Sequence, residues 1–141
     1  MRSLMIGLLV LSACAGAAAD TTPPTGRWLT ASGNLEVVVA PCGAALCGTV
    51  ARVVANHSMA APGTEMAAPA ATVGLAILTD FTPAGGDAWE GHIYNRENGK
   101  TYRCVMRLRD ADQLEVRPYI AIHLIGQTQI WRRVPDPGAA G

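Results

Sequence analysis

Short stretches of apolar or alternating residues, divided by Gly, Asn, Asp and Pro, fill residues 26–134, and no long window there has helical periodicity. Alternation with a period of two places successive side chains on opposite faces of a strand, so this pattern is typical of an all-β domain. Asn98-Gly99 gives the sharpest turn signal, because both residues tolerate the positive φ of a tight hairpin. The predicted strands are residues 26–30, 35–40, 46–54, 75–80, 89–94, 101–109, 113–120 and 127–134.

Several links between these strands are short enough to be hairpins, and hairpin links make neighbouring strands antiparallel. They lie at residues 31–34, 95–100 and 110–112. Eight such strands fit a barrel or a sandwich. We expect the last strand to return to the first, which gives a single antiparallel up-and-down β-barrel of about eight strands. A chain of 141 residues, 50% of them hydrophobic, has room for one such domain with one core.

The charge balance argues against large anionic partners. Eleven basic and eleven acidic residues cancel, and Lys100 is the single lysine. Binding to a nucleic-acid backbone needs a basic surplus, and binding to an anionic membrane surface needs a polybasic patch. The sequence has neither, so we expect no nucleic-acid partner and no direct contact with a membrane surface.

Residues 1–19 have the pattern of an export signal, with Arg2 at the start, an apolar run at residues 4–11 and small residues before the cleavage site. A second interpretation centres on Cys14, whose preceding residues resemble the site at which a bacterial lipoprotein is cleaved and acylated. Either way we expect an exported protein of the periplasm or cell envelope, attached to a membrane only if Cys14 is acylated. The remaining divisions are a linker at residues 20–25, the barrel domain at 26–134 and a disordered tail at 135–141.

Residues 56–72 interrupt the strand pattern with a run that is rich in Ala and Pro and almost without charge. Pro62 and Pro69 argue against one continuous helix. Loops of this length inside a compact domain are lids, binding loops or poorly ordered segments. Because the composition offers little chemistry, we expect a poorly ordered and functionally neutral loop.

Cys42 and Cys47 flank a predicted hairpin tip, where cross-strand Cα separations suit a disulfide. We expect a structural disulfide, because the spacing is not that of a Cys-x-x-Cys oxidoreductase and no second pair completes a zinc site. Cys104 is then left over, on the same face of its predicted strand as Met106. We expect it to be a small buried hydrophobic residue, since a nucleophile would need a base beside it.

The sequence carries no recognisable catalytic or metal-binding pattern. It has no phosphate-binding loop, nucleophile elbow or dinucleotide fingerprint. The histidines share no metal-ligand spacing, and the carboxylates fit solvated turns and strand edges. We therefore expect no metal, no cofactor and no enzymatic role for the candidate residues His57, His92, His123, Asp80, Asp87 and Glu90.

The tryptophans either pack the ends of the barrel or line a ligand cavity. Two sets of functional residues follow, one for each alternative. A ligand would contact Trp89, Tyr102, Met106, Gln129 and Trp131. Closure of the barrel would involve Gly26, Trp28, Arg132 and Arg133, with one of the two arginines lying across an indole as a cation–π partner.

Gly26 and Trp28 in the first strand, with arginine in the last, resemble the short signature of lipocalin-like and fatty-acid-binding-protein-like barrels. A fuller set of motifs spans nearly all of the mature domain and is similar, in the same order, to the bacterial domain-of-unknown-function family 2147. This resemblance implies an exported protein with a lipocalin-like barrel, and it implies no established activity. The motifs lie at residues 26–30, 46–50, 74–81, 89–94, 98–102, 114–117 and 126–134.

The sequence departs from that family pattern in two places. Residues 56–72 stand where the family has a polar motif, so no role of that loop carries over to this chain. Pro118 stands where the family has glycine after arginine. A proline cannot donate a ladder hydrogen bond, so we expect an edge, a bulge or a bend there.

Two functions from different classes fit these observations. An eight-stranded barrel can hold one small ligand, which favours a periplasmic protein that binds a hydrophobic small molecule or lipid. A barrel of this size can also be filled by its own side chains. It would then be a structural or interaction protein of the envelope, acting on a protein partner through a strand edge.

Overall fold

The computed structural model describes residues 22–66, 72–119 and 128–135. Within these ranges no helix is long and apolar enough to cross a membrane. The strands are β1 (Gly26–Leu29), β2 (Leu35–Cys42), β3 (Ala45–Val53), β4 (Ala76–Pro83), β5 (Trp89–Asn95), β6 (Lys100–Asp110), β7 (Gln113–Pro118) and β8 (Gln129–Arg133).

Each strand pairs antiparallel with the next one along the chain, and β8 pairs with β1, so the sheet is a closed barrel. The closing pair aligns Trp28 with Arg133 and Leu29 with Arg132. The backbone N–H of Val134 extends this pair by donating to the carbonyl oxygen of Arg27 at 2.9 Å. The predicted all-β, up-and-down barrel of eight strands is confirmed.

Because neighbouring strands run in opposite directions, their connections alternate between two ends of the barrel. We call one end the mouth: there the chain turns from β1 to β2, from β3 to β4 and from β5 to β6, and there β7 ends and β8 begins. The other end, which we call the closed end, has the turns from β2 to β3, from β4 to β5 and from β6 to β7. The chain also enters β1 and leaves β8 at the closed end.

The interior of the barrel is apolar, as the alternation predicts. On β6, Cys104 and Met106 are fully buried, whereas the flanking Arg103 and Arg107 are exposed. Gly91 of β5 lets the sheet pack tightly, since a Cβ there would lie 2.5 Å from the Thr79 carbonyl oxygen. The buried core is Trp28, Leu35, Val37, Val39, Leu46, Val50, Ile77, Leu78, Phe81, Cys104, Met106, Leu114, Val116 and Trp131.

Strand β4 is longer than predicted, continuing past Asp80 to Pro83. Asp80 has a φ of 59°, and the pairing of β4 with β5 shifts register between Thr79 and Thr82. A left-handed residue with a register shift is a β-bulge, which turns the following side chain to the other face. Phe81 is thereby fully buried. The alternation breaks at Asp80, so the sequence pattern ends the strand too early.

At the closed end, Trp28 is fully buried and its Nε1 donates to the carbonyl oxygen of Pro24 at 3.1 Å. The Arg133 guanidinium lies 4.2 Å from the Trp28 ring centroid, in cation–π geometry. It also donates to the carbonyl oxygens of Thr25 (3.1 Å) and Ala111 (2.5 Å). Arg133 therefore joins the start of β1 to the turn between β6 and β7.

Three predicted features lie at this end. Arg133 is the cation–π partner, and the alternative Arg132 is exposed because it lies on the opposite face of β8. Gly26 has a φ of 117°, and a Cβ there would overlap Nη1 of Arg133, so both backbone and space favour glycine. In the predicted linker, Pro24 is buried, and the carbonyl oxygens of Pro24 and Thr25 accept hydrogen bonds from closed-end side chains.

The predicted disulfide is present. Cys42 and Cys47 are bonded across the hairpin of β2 and β3, with their Cα atoms 5.8 Å apart. Pro118 is the last residue of β7, opposite Cys104, and the Tyr119 N–H continues the pairing by donating to Arg103 at 2.8 Å. Strand β7 has neighbours on both sides, so Pro118 ends a strand and does not mark a sheet edge.

Other predictions fall on residues outside the described ranges. These are the signal peptide at residues 1–19 with Cys14, residues 67–71 of the long loop, His123, and the tail from residue 136 onward.

Candidate functional site

The mouth of the barrel opens into a cavity of about 700 Å³. Its wall comes from the inner ends of the strands and from the turns of three hairpins, so distant parts of the chain meet there. Polar lining residues include Asn34, Arg96, Glu97, Tyr102 and Gln129. The larger apolar lining side chains include Leu35, Met59, Met66, Ile77, Ile93 and Trp131.

Three of the five predicted ligand residues line this cavity: Tyr102, Gln129 and Trp131. Trp131 is 2% exposed, and its Nε1 donates to Oε1 of Gln129 at 3.1 Å. Gln129 and Trp131 lie two residues apart on β8, so their side chains share a face of the strand. Because β8 begins at the mouth, Gln129 lies nearer the mouth and Trp131 lies deeper in the barrel. The indole nitrogen is thus satisfied by its own strand, which leaves the ring as an apolar surface toward the cavity.

Trp89 and Met106, the other two predicted ligand residues, do not line this cavity. They lie opposite each other on β5 and β6, toward the closed end. Met106 is fully buried in the core, and Trp89 packs against the core. Alternation correctly gives the face on which a side chain lies, but it does not give the depth at which the side chain lies along the barrel.

The loop after β3, for which we expected no role, makes defined internal contacts over residues 56–66. Its two arms pair at His57 and Glu65, and Asn56 bonds Met66 through both its carbonyl oxygen and its side chain, each at 2.8 Å. Met59 and Met66 of this loop line the cavity. Residues 56–66 therefore form a lid at the mouth, and we use that name for them below.

Asn34, in the turn between β1 and β2, attaches the lid to the barrel. Its Nδ2 donates to the His57 carbonyl oxygen and its Oδ1 accepts from the His57 N–H, both at 2.8 Å. Its backbone carbonyl oxygen accepts from Val54 at 2.7 Å. Asn34 is 3% exposed, so its amide makes these two hydrogen bonds away from solvent, in the way that one strand bonds the backbone of another. From sequence alone, Asn34 is only a turn residue.

Replacing Asn34 by alanine should release the lid and lower the free energy of unfolding by about 1 to 3 kcal/mol, because two hydrogen bonds between the buried Asn34 amide and the His57 backbone are lost. Hydrogen exchange checks this, with faster exchange expected for the His57 amide. Asn98→Ala is the matched control, since it removes an amide side chain whose hydrogen bonds go to Lys100 and Tyr102 and not to the lid, and it should leave exchange at His57 unchanged. Unchanged exchange at His57 in Asn34→Ala would contradict the attachment.

A second attachment of the lid comes from Glu97, in the turn between β5 and β6. Its carboxylate accepts hydrogen bonds from the Ser58 hydroxyl and, at 3.1 Å, from the Met59 N–H. The Ser58 hydrogen bond is the main cause that holds the pKa of Glu97 below its ordinary value; burial opposes it, and backbone N–H groups and Arg96 assist it. The charged carboxylate therefore favours the closed lid.

Arg96 lies beside Glu97 and lines the same cavity. Burial lowers the pKa of its guanidinium, and the neighbouring charge of Glu97 opposes that effect. Its Nη2 is buried and has no hydrogen-bond partner among the described residues. The Arg96 guanidinium at the mouth thus has N–H groups on Nη2 that donate no hydrogen bond to the described residues.

Cys104 is buried in the core, on the strand face that the alternation predicts. Burial raises the pKa of its thiol to about 12, with a backbone hydrogen bond from Arg117 opposing. The thiol is therefore protonated near neutral pH. A nucleophile needs the thiolate, so this environment disfavours a catalytic role and fits a packing role.

Alkaline pH should destabilise the fold through Cys104. The folded pKa of about 12 exceeds the ordinary 9.0, so the unfolded chain loses its proton first and stability falls as pH rises between these values. The loss should reach roughly 2 kcal/mol midway through this range. Urea unfolding of wild type and Cys104→Ala at several pH values checks this. Equal pH slopes for the two proteins would contradict it.

The remaining candidate residues lie on the outer surface. Asp80 is 3.7 Å from His92, Asp87 is 3.6 Å from Arg107, and Glu90 pairs with Arg103. In the described ranges, no group of three or more His, Cys, Asp or Glu residues is arranged to hold a metal ion.

Comparison with known proteins agrees with the fold. A Helicobacter pylori protein, HP1028, whose structure is titled as belonging to the lipocalin family, superposes with a TM-score of 0.59 at 19% identity. The match covers 81% of this chain and 84% of that one, and at this identity it shows a shared lipocalin-like fold. No curated protein matches the sequence. The model of the family described as uncharacterized proteins conserved in bacteria, DUF2147, matches residues 26–133. With the barrel, the glycine–tryptophan start and the closing arginine all inside the matched region, the chain belongs to the DUF2147 family.

Proposed function

We propose that this protein binds one hydrophobic small molecule, such as a lipid, in the cavity at the mouth of its barrel. The observation that carries the proposal is the cavity itself, whose volume of about 700 Å³ lies within the range of about 300 to 1,000 Å³ of small-molecule sites. Its lining combines apolar side chains with a few polar groups, which is the composition of such sites.

The distribution of packing along the barrel supports a ligand at the mouth. Toward the closed end the interior is filled by buried side chains such as Trp28, Phe81 and Met106. Toward the mouth the interior contains the cavity, and the Trp131 ring lies in its wall beneath Gln129. An apolar ligand would gain burial against Trp131, Ile77 and Ile93, and the lid would shield it from water.

A filled barrel that acts on a protein partner through a strand edge is the competing function. It needs a strand with unpaired backbone groups. Every strand from β1 to β8 has a neighbour on both sides, so the strands that the structure describes include no free edge of that kind. This pairing favours the ligand-binding function.

Export to the periplasm or envelope is part of the same proposal. It is supported by the signal-like residues 1–19 and by the disulfide between Cys42 and Cys47, which is typical of oxidising compartments. Intact-mass measurement of the protein from its own host checks it. A mature chain that begins at Asp20 supports signal cleavage, a lipid-modified Cys14 supports an anchor, and an unprocessed chain contradicts export.

Native mass spectrometry of protein purified from its own host tests ligand binding. We expect a co-purifying mass in the range of a lipid. The same preparation, stripped of ligand, should show a raised melting temperature with members of a panel of fatty acids, fatty alcohols and phospholipids. A mass without ligand, together with no thermal shift across the panel, would contradict the proposal.

A further inference from the structure

The cavity contains two charged side chains among its lining residues, Arg96 and Glu97, and they have different surroundings. The Glu97 carboxylate is occupied by the lid, through Ser58 and the Met59 N–H. No carboxylate in the described part of the chain lies within the 4.0 Å of an ion pair with Arg96. Within the described ranges, the charge of the guanidinium is therefore offset at the mouth only by the neighbouring charge of Glu97, which forms no ion pair with it.

The unpaired nitrogen is a second observation. Nη2 of Arg96 is buried and makes no hydrogen bond to any described residue. Burying a donor without an acceptor is destabilising, so a protein gains stability when an acceptor is supplied there. The strongest acceptor for a guanidinium is an oxyanion, because carboxylate and phosphate oxygens match its planar fork of N–H groups.

A hydroxyl at the mouth supplies a further donor. The Tyr102 hydroxyl accepts a hydrogen bond from Nδ2 of Asn98 at 2.8 Å, which leaves its own proton free to be donated. Tyr102 and Arg96 both line the cavity, and the apolar surface of Trp131 lies below them. The cavity is thus polar with donor groups at the mouth and apolar at depth.

We propose that the ligand is an amphiphile with an anionic headgroup, carboxylate or phosphate, which binds Arg96 at the mouth while its apolar chain extends toward Trp131. This inference rests on the proposed function and specifies the ligand class. It requires that the headgroup remain near the mouth, so that only the apolar chain is fully enclosed.

Calorimetric titration with three probes of equal chain length tests the inference: dodecanoate, dodecyl phosphate and dodecan-1-ol. Near neutral pH, wild type should bind at least one anion roughly ten- to a hundredfold more tightly than the alcohol, as a hydrogen bond to a charged group predicts. Arg96→Gln should remove that advantage, because it should weaken binding of the anions far more than binding of dodecan-1-ol. The anion with the higher affinity identifies the headgroup.

Arg109→Gln is the matched control, because Arg109 is an exposed arginine on β6 outside the cavity. It makes the same change in net charge and should leave all three affinities unchanged. Arg96→Gln should keep the melting temperature of wild type, since Nη2 has no hydrogen bond to lose. This separates loss of the headgroup contact from loss of folding.

Two results would overturn the inference while the proposed function stands. One is binding of dodecan-1-ol as tightly as both anions. The other is a decrease in affinity for the anions that is no larger in Arg96→Gln than in Arg109→Gln. Failure of all three probes to bind wild type would instead overturn the proposed function, and the headgroup inference with it.

Discussion

Trp131→Ala is expected to abolish binding in the mouth cavity and to lower the free energy of unfolding by about 3 to 5 kcal/mol. Both effects arise because the indole has two roles. It is 2% exposed and belongs to the core, and its ring also forms part of the cavity wall. Its removal also leaves Oε1 of Gln129 without the indole donor. The cavity would be deeper and wetter, so an apolar chain would lose its main contact surface.

Urea unfolding measures the stability loss, and calorimetric titration with dodecan-1-ol measures binding. Trp131→Phe is the control, since it keeps an aromatic surface and removes only the indole N–H and part of the ring. It should retain most of the stability and bind dodecan-1-ol weakly. If Trp131→Ala folded and bound dodecan-1-ol with the wild-type affinity, the placement of the ligand against Trp131 would be wrong.

Trp28→Ala is expected to cause a similar loss of stability, about 3 to 5 kcal/mol, without a loss of binding. Trp28 is fully buried and lies at the closed end, outside the lining of the mouth cavity. The change removes its hydrogen bond to Pro24 and the ring on which Arg133 lies. The two tryptophan substitutions thus match in chemistry and differ in the end of the barrel that they affect.

The same two measurements apply to Trp28→Ala, with Trp28→Phe as the milder variant for titration if the alanine protein is too unstable. We expect the affinity of the folded protein for dodecan-1-ol to equal that of wild type. A drop in affinity as large as that of Trp131→Ala would show that the two ends of the barrel are coupled, contrary to the separation described here.

The architecture could be predicted from the sequence because its main signals are local. A period of two gives the strand faces, and turn residues such as Asn98-Gly99 give the hairpins. The closing of the barrel followed from the ends of the chain, where the Trp28 and Arg133 positions pair directly. The disulfide of Cys42 and Cys47 was predictable for the same reason, since both lie in one hairpin.

The site was harder to predict because it depends on how deep each side chain lies along the barrel, on the register of the strands, and on contacts between segments that are distant in the chain. Alternation placed Met106 on an inner face, yet Met106 belongs to the core and does not line the cavity. Around Trp131, which does line it, polar residues share the strand face, so the alternation there did not identify the inner side. The choice between Arg132 and Arg133 depended on the exact register of β8. The attachment of the lid at Asn34 joins residues 23 apart in the chain, and no local pattern carries that information.

The closed end gives the molecule an orientation. The chain enters β1 and leaves β8 there, with the Val134 N–H bonded to Arg27 and Arg133 bonded to Thr25, so both terminal segments depart from the side opposite the mouth. Both points at which the chain joins the barrel thus lie at the end opposite the mouth. A fusion partner joined at Thr22 or Pro135 would be attached at the closed end and would leave the mouth uncovered at its point of attachment.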